Sequence, residues 1–201
     1  MKAALSTFES PFAIDGPVWR EPRGIARIAV VGGESTGKST LVTALGELYG
    51  EPCVAEYGRT LWEERCGQLD YDDLRAIGVR HVADEDDAVS RAMRCTFIDT
   101  TPLTTLWYSI DGYAKADAEL VDLSWRPYDL MLVCAPDFPF VQDGSRSSDD
   151  FRLRHDRWIR ATLSARGVDY LHVRGPLVER VARVAALLDP LYGRSRQESA
   201  Q

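Results

Sequence analysis

A lone lysine, Lys38, sits between Lys2 and Lys115, within the stretch AVVGGESTGKST that runs from Ala29 to Thr40. The chain carries 21 arginines and 3 lysines, so arginine is its usual positive charge and Lys38 departs from that habit. The residues around it read G-x-x-x-x-G-K-S from Gly32 to Ser39. Glycines in such a run let backbone N–H groups converge on phosphate oxygens, and a helix that follows presents free N–H groups and a positive dipole end. The chemistry implied is a phosphate cradle built from Gly32, Gly33, Glu34, Ser35, Thr36, Gly37, Lys38, Ser39 and Thr40. Lys38 would place a compact charge on the β- and γ-phosphates of a nucleotide, where a planar guanidinium suits the space less well, and the Ser39 hydroxyl would ligate Mg²⁺. The competing reading is a glycine-rich turn with an exposed lysine. Against it stand the apolar run Ile28–Val31 before the loop and Leu41, Leu45 and Leu48 after it, the strand–loop–helix setting a P-loop requires.

Further polar residues follow the other apolar runs, where ligands gather in an open parallel sheet. Glu56, Tyr57 and Arg59 follow PCVA; Asp99, Thr100 and Thr101 follow CTFI; Asp137, Asp143 and Arg146 follow LMLVCAP; Arg174 and Gly175 follow YLHV. Asp99 would hold Mg²⁺ directly or through water, or else cap the helix that starts near Pro102. Glu56 would orient or deprotonate an acceptor hydroxyl, or else pair with Arg59. Arg146, in a long loop, would close over the transferring phosphate, or else lie on the surface. Tyr57, Trp107 and Tyr108 would stack on a flat ring, with cation–π attraction if the ring is charged, or else belong to the core.

The elements that must position these residues alternate strand and helix. Strands are expected at ARIAVVGG, PCVAEYG, CTFIDT, YDLMLVCAP and VDYLHVRG. Helices are expected after the P-loop, at RTLWEERCG, from Tyr71 to Arg94, across Pro102–Trp125 with a break near Gly112, at SDDFRLRHDRWIRATLSARG, and at LVERVARVAALLD. This alternation predicts an α/β fold with a parallel sheet and right-handed crossovers. Residues 1–24 hold Pro11, Pro17 and Pro22 without a clear period and read as an extension; 25–192 read as one domain and 193–201 as a tail.

At 201 residues the chain has room for a sizeable core. Its net charge of −7 argues against broad nucleic-acid affinity. A local crowd of arginines, Arg146, Arg152, Arg154, Arg157, Arg160 and Arg166, reads for the most part as a solvated helix face balanced by Asp149, Asp150 and Asp156. No apolar run reaches the ~20 residues of a membrane span, and the N-terminus shows no signal-peptide pattern. Cys53, Cys66, Cys95 and Cys134 share no close spacing and suit reduced, mostly buried thiols in the cytoplasm.

The stretches GGESTGKST, EYGR, FIDTTPLTT, PDFPFVQDGSR and HVRG followed by Arg180, in this order, resemble the ribosylnicotinamide kinase domain of NadR-type proteins, over roughly Ile25 to Leu191. The resemblance implies a P-loop kinase fold with strand order 2-3-1-4-5. It also implies transfer of the ATP γ-phosphate, with Mg²⁺, to the ribose 5′-hydroxyl of nicotinamide riboside. Lys38, Ser39, Glu56, Tyr57, Arg59, Asp99, Asp143 and Arg146 fall on family motif positions. Where the family often shows D-T-D, this chain has Asp99-Thr100-Thr101, and where it often shows P-W, this chain has Pro139-Phe140. Two other readings stay open: a kinase for another nucleoside or small metabolite, and a regulatory ATP-binding module without an acceptor pocket.

Overall fold

A computed structural model of the chain describes residues 24–139 and 148–193. Five strands, β1 (Ala26–Val31), β2 (Cys53–Val54), β3 (Cys95–Asp99), β4 (Leu130–Cys134) and β5 (Leu171–Val173), form one sheet in the order β2-β3-β1-β4-β5. Every pairing is parallel, with Val30 opposite Asp99 and Val31 opposite Val133. Seven helices connect them among the described residues: α1 (Lys38–Tyr49), α2 (Tyr57–Glu64), α3 (Tyr71–Arg91), α4 (Pro102–Tyr113), α5 (Ala118–Leu123), α6 (Asp149–Ala165) and α7 (Leu177–Tyr192).

β1 is almost wholly buried because helices cover both of its faces. Ile28 and Val30 point to one side, where they pack with Leu41, Leu45 and Tyr49 of α1 and Val184 and Leu188 of α7. Ala29 and Val31 point to the other, into a cluster with Leu74 and Ile77 of α3, Leu103 and Leu106 of α4, and Ile159 and Leu163 of α6. Period-two alternation along one strand thus serves two half-cores.

The element boundaries follow local chemistry. α3 opens with a reciprocal cap, the Asp70 side chain accepting from the Asp73 N–H while the Asp73 side chain accepts from the Asp70 N–H. α4 runs one residue past Gly112, to Tyr113, and ends where Ala114 turns left-handed at φ 50°. Asp117 then starts α5 by accepting from the N–H groups of Glu119 and Leu120. α2 begins at Tyr57, earlier than the period of RTLWEERCG suggests. Cys53 and Cys66 are exposed and only Cys95 and Cys134 are buried, which corrects the expectation of mostly buried thiols. Among the described residues no helix is long and apolar enough to cross a membrane.

Candidate active site

The carboxyl ends of β1, β3 and β4 meet around the loop between β1 and α1. That loop depends on missing side chains. Gly32 has φ 148°, and a Cβ there would come within 2.7 Å of the Cys134 carbonyl oxygen. A Cβ on Gly33 would meet the Arg152 carbonyl oxygen at 2.7 Å. Gly37, at φ 78°, turns the chain into α1 in the left-handed region. Thr36 Oγ1 donates to the Gly33 carbonyl at 2.8 Å, and Lys38 Nζ donates to the same carbonyl at 2.9 Å. Lys38 therefore lies folded back over the loop it belongs to.

Two arginines brace the loop. Arg180 of α7 is 1% exposed; its Nη1 donates to the Thr36 carbonyl at 2.6 Å, its Nη2 to the Ala135 carbonyl at 3.2 Å, and its Nε to the Gly175 carbonyl at 2.8 Å. It also pairs with Asp137 and lies over the Phe138 ring, 4.5 Å from its centre. Asp137 in turn accepts from the Gly175 N–H at 2.7 Å. Its carboxylate joins the loops after β4 and β5 rather than standing open among the acidic groups of the cleft. Arg152 of α6 is 4% exposed; its Nη1 donates to the Phe138 carbonyl at 3.0 Å and approaches the Ser35 carbonyl at 3.4 Å. The expectation of a solvated arginine face on α6 fails at this position. Arg152 sits in the space that the missing side chain of Gly33 leaves.

Asp99 ends β3 with 3% exposure, and its Oδ1 has no hydrogen-bond partner among the described residues. Burial raises its pKa, while Lys38 and a hydrogen bond from Ser39 act to lower it. Asp99 does not cap α4: the N-cap is Thr101, whose side chain makes no capping bond. A buried carboxylate with an unused oxygen beside the P-loop serine fits a divalent cation. Glu56 is the N-cap of α2 by position, yet its side chain makes no capping bond either. Burial raises the Glu56 pKa; Lys38 opposes this, Asp99 and Glu34 add to it, and Arg59 opposes it. Lys38, Asp99, Arg59 and Glu34 are therefore within electrostatic reach of Glu56. Arg59 also lies 3.9 Å from Glu63.

The aromatic candidates separate. Tyr57 is half-buried and carries the Arg80 guanidinium over its ring at 5.3 Å. Trp107 is 6% exposed and stacks flat on His155, 5.3 Å between centres and 9° between planes, with Trp158 and Phe151 around it. It packs between α4 and α6 as a core residue does. Tyr108 is half-buried, and its hydroxyl donates to Glu34 Oε1 at 3.1 Å. Asp143 and Arg146 lie outside the described residues. Among the described residues no group of three or more His, Cys, Asp or Glu side chains could hold a metal ion, so a bound cation would rely on Asp99, Ser39 and the phosphates it accompanies.

Residues 27–180 match the AAA domain family. The chain belongs to that family. This AAA domain is 30% identical over 166 residues to the trifunctional NAD biosynthesis/regulator protein NadR of Salmonella typhimurium LT2, covering 79% of this chain and 40% of the relative. It is 32% identical over 189 residues to NadR of Escherichia coli K12, covering 90% of this chain and 46% of the relative. The chain thus spans less than half the length of these curated relatives. In fold it is similar to a crystal structure of NadR in complex with NR, with a TM-score of 0.69, 22% identity and coverage of 84% of this chain and 52% of that one. It is also similar to thymidylate kinase from Ehrlichia chaffeensis, with a TM-score of 0.56, 16% identity and coverage of 82% and 99%. The expected five-stranded parallel P-loop kinase fold, order 2-3-1-4-5, is the one observed.

Proposed function

We propose that the chain is an ATP-dependent kinase that phosphorylates the ribose 5′-hydroxyl of nicotinamide riboside, giving nicotinamide mononucleotide. The observation that carries this reading is the placement of Glu56 in electrostatic contact with Lys38 and Asp99 while its side chain is released from helix capping. A nucleotide-binding module needs the cradle; a carboxylate set beside it, on the acceptor side, is what a hydroxyl acceptor needs. The similarity to NadR supports the choice of acceptor.

The residues act in sequence. The loop N–H groups and the opening turn of α1 hold the triphosphate, and Lys38 leaves the Gly33 carbonyl to follow the β- and γ-oxygens. Ser39 and Asp99 would hold Mg²⁺, which supplies positive charge against the phosphates. Glu56 accepts the proton as the acceptor O–H bond breaks, the new O–P bond forms, and the bond from the γ-phosphorus to the leaving ADP oxygen breaks. Arg146, which precedes α6 in the sequence, would cover the transferring group and exclude water. Arg59, Tyr57 and Asp143 would complete the acceptor side.

Measuring ADP release with and without nicotinamide riboside tests the reading. A rise of at least about 100-fold on adding the acceptor is expected, the scale of a positioned acid–base group. Equal release in both conditions would favour a regulatory nucleotide-binding module.

A further inference from the structure

Thr100 leaves β3 in a conformation its type resists. It is a β-branched residue at φ 70°, in the left-handed region, immediately after Asp99. Such a residue persists only where its surroundings hold it from several sides. Its N–H donates to the Val30 carbonyl at 3.0 Å, on the strand that leads into the P-loop. Its own carbonyl accepts from the ring of His81, halfway along α3. His81 lies on the face of α3 that buries Leu74, Ile77 and Gly78, and is itself 2% exposed. Burial pushes its pKa down to about 4, so the ring is neutral and carries one N–H. Nε2 makes no hydrogen bond among the described residues, so the bond to Thr100 falls to Nδ1.

Glu85, wholly buried, stands at the other edge of the ring, with Oε1 3.5 Å from Nε2. Its oxygens are committed elsewhere: Oε1 accepts from the Tyr128 hydroxyl at 2.8 Å and Oε2 from Arg126 Nε at 2.7 Å. A neutral ring that makes no hydrogen bond to this carboxylate is not there to pair with it. What the ring does is reach the turn after Asp99. That turn carries the chain to Thr101, the N-cap of α4, and leaves Asp99 Oδ1 buried and without a hydrogen-bond partner among the described residues, while Ser39 bonds to the same carboxylate. We infer that His81 is a positioning residue for Asp99: its N–H on the Thr100 carbonyl holds the left-handed turn and so fixes the carboxylate beside the P-loop serine. This rests on the reading of Asp99 and Ser39 as the pair that would hold Mg²⁺, and adds to it the residue that aims one of them. A partner that orients a metal-holding side chain commonly sets affinity for the ion by about 10- to 100-fold.

The test measures ATP binding to the full chain by titration calorimetry, with and without Mg²⁺, for wild type, His81→Asn, His81→Gln and His81→Phe. Asparagine places an amide N–H where Nδ1 stands, glutamine places one where Nε2 stands, and phenylalanine keeps a ring and removes both nitrogens. Wild type should bind ATP more tightly with Mg²⁺. His81→Phe and His81→Gln should lose about tenfold of that gain, while their ATP affinity without Mg²⁺ stays within about threefold of wild type. His81→Asn should keep the gain to within about threefold, because it restores the donor to Thr100. A role confined to packing would instead weaken ATP binding equally with and without Mg²⁺. That outcome, a gain preserved in His81→Phe, or a gain kept by His81→Gln and lost by His81→Asn would overturn the inference. If His81→Phe does not fold, the comparison of asparagine with glutamine decides it alone. A wild type whose ATP affinity does not respond to Mg²⁺ overturns both the inference and the placement of Mg²⁺ at Asp99. A wild type that binds ATP with Mg²⁺ but phosphorylates no nucleoside ends the kinase reading alone, because the binding comparison needs no acceptor.

Discussion

Glu56 must be ionised to take a proton, and its surroundings make that harder: burial raises its pKa above the ordinary 4.5, with Lys38 as the strongest opposing influence. Activity should therefore rise with pH through a value above 4.5. Glu56→Gln should remove that acid limb and lower kcat by about 10²- to 10⁴-fold with a smaller change in KM. A pH–rate profile that keeps its acid limb in the variant would assign the proton to another group. His155 shows the opposite shift. Burial against Trp107, with Lys38 nearby, holds its pKa down to about 3. Between that value and the unfolded value of 6.5 the unfolded chain binds the extra proton, so stability contributed by neutral His155 is present above pH 6.5 and lost as pH falls. Relative to His155→Phe, the wild type should lose about 1.4 kcal/mol per pH unit below that point. Chemical denaturation of both at pH 7.5, 6 and 5 measures it, and a constant difference would show that His155 does not titrate on unfolding. The types of these residues were visible in the sequence; their partners were not. Nothing local marks Trp107 as stacked on His155 or Tyr108 as bonded to Glu34, because each pairing joins elements that only the packing of α4 against α6 and the P-loop brings together.

The P-loop is held from outside by helices that come much later in the chain. Arg180 joins the Thr36, Ala135 and Gly175 carbonyls, so the loop, the end of β4 and the turn before α7 share one guanidinium. Arg180→Ala would leave three carbonyls short of a donor and part of the Asp137 carboxylate uncompensated, at a cost of about 3 kcal/mol. For a chain of this size that corresponds to a fall in Tm of about 6 to 12 °C. A scanning calorimetry trace shifted by less than about 2 °C would show that the loop does not depend on this brace. The strands and most helices were legible because β4 is a continuous apolar run, β1 and β3 are mostly apolar, and α3, α6 and α7 repeat at helical spacing. The break between α4 and α5 was legible to within two residues, since Gly112 lies beside the true turn at Ala114. Arg152 was not legible. On sequence it belongs to an arginine-rich amphipathic helix, and its burial follows from the absence of a side chain at Gly33, 119 positions away. A glycine whose role is to admit a distant arginine looks the same in sequence as one that only bends the loop.

At the scale of the whole molecule, a doubly covered parallel sheet places the P-loop, Asp99 and Glu56 at one edge of the strands, where β1 and β3 lie side by side and the order of strands reverses. The sheet order and the AAA domain match over residues 27–180 give the scaffold, and in the proposed function the acidic residues beside the cradle would form its acceptor side. The net charge of −7 agrees with a cationic acceptor more than with an anionic one. The most direct measurement is ATP-dependent formation of nicotinamide mononucleotide, compared in one assay with phosphorylation of uridine, cytidine and adenosine. The expected result is the highest kcat/KM for nicotinamide riboside, by at least about tenfold, a difference of about 1.4 kcal/mol in transition-state binding. A higher kcat/KM for any of the other three nucleosides would contradict it.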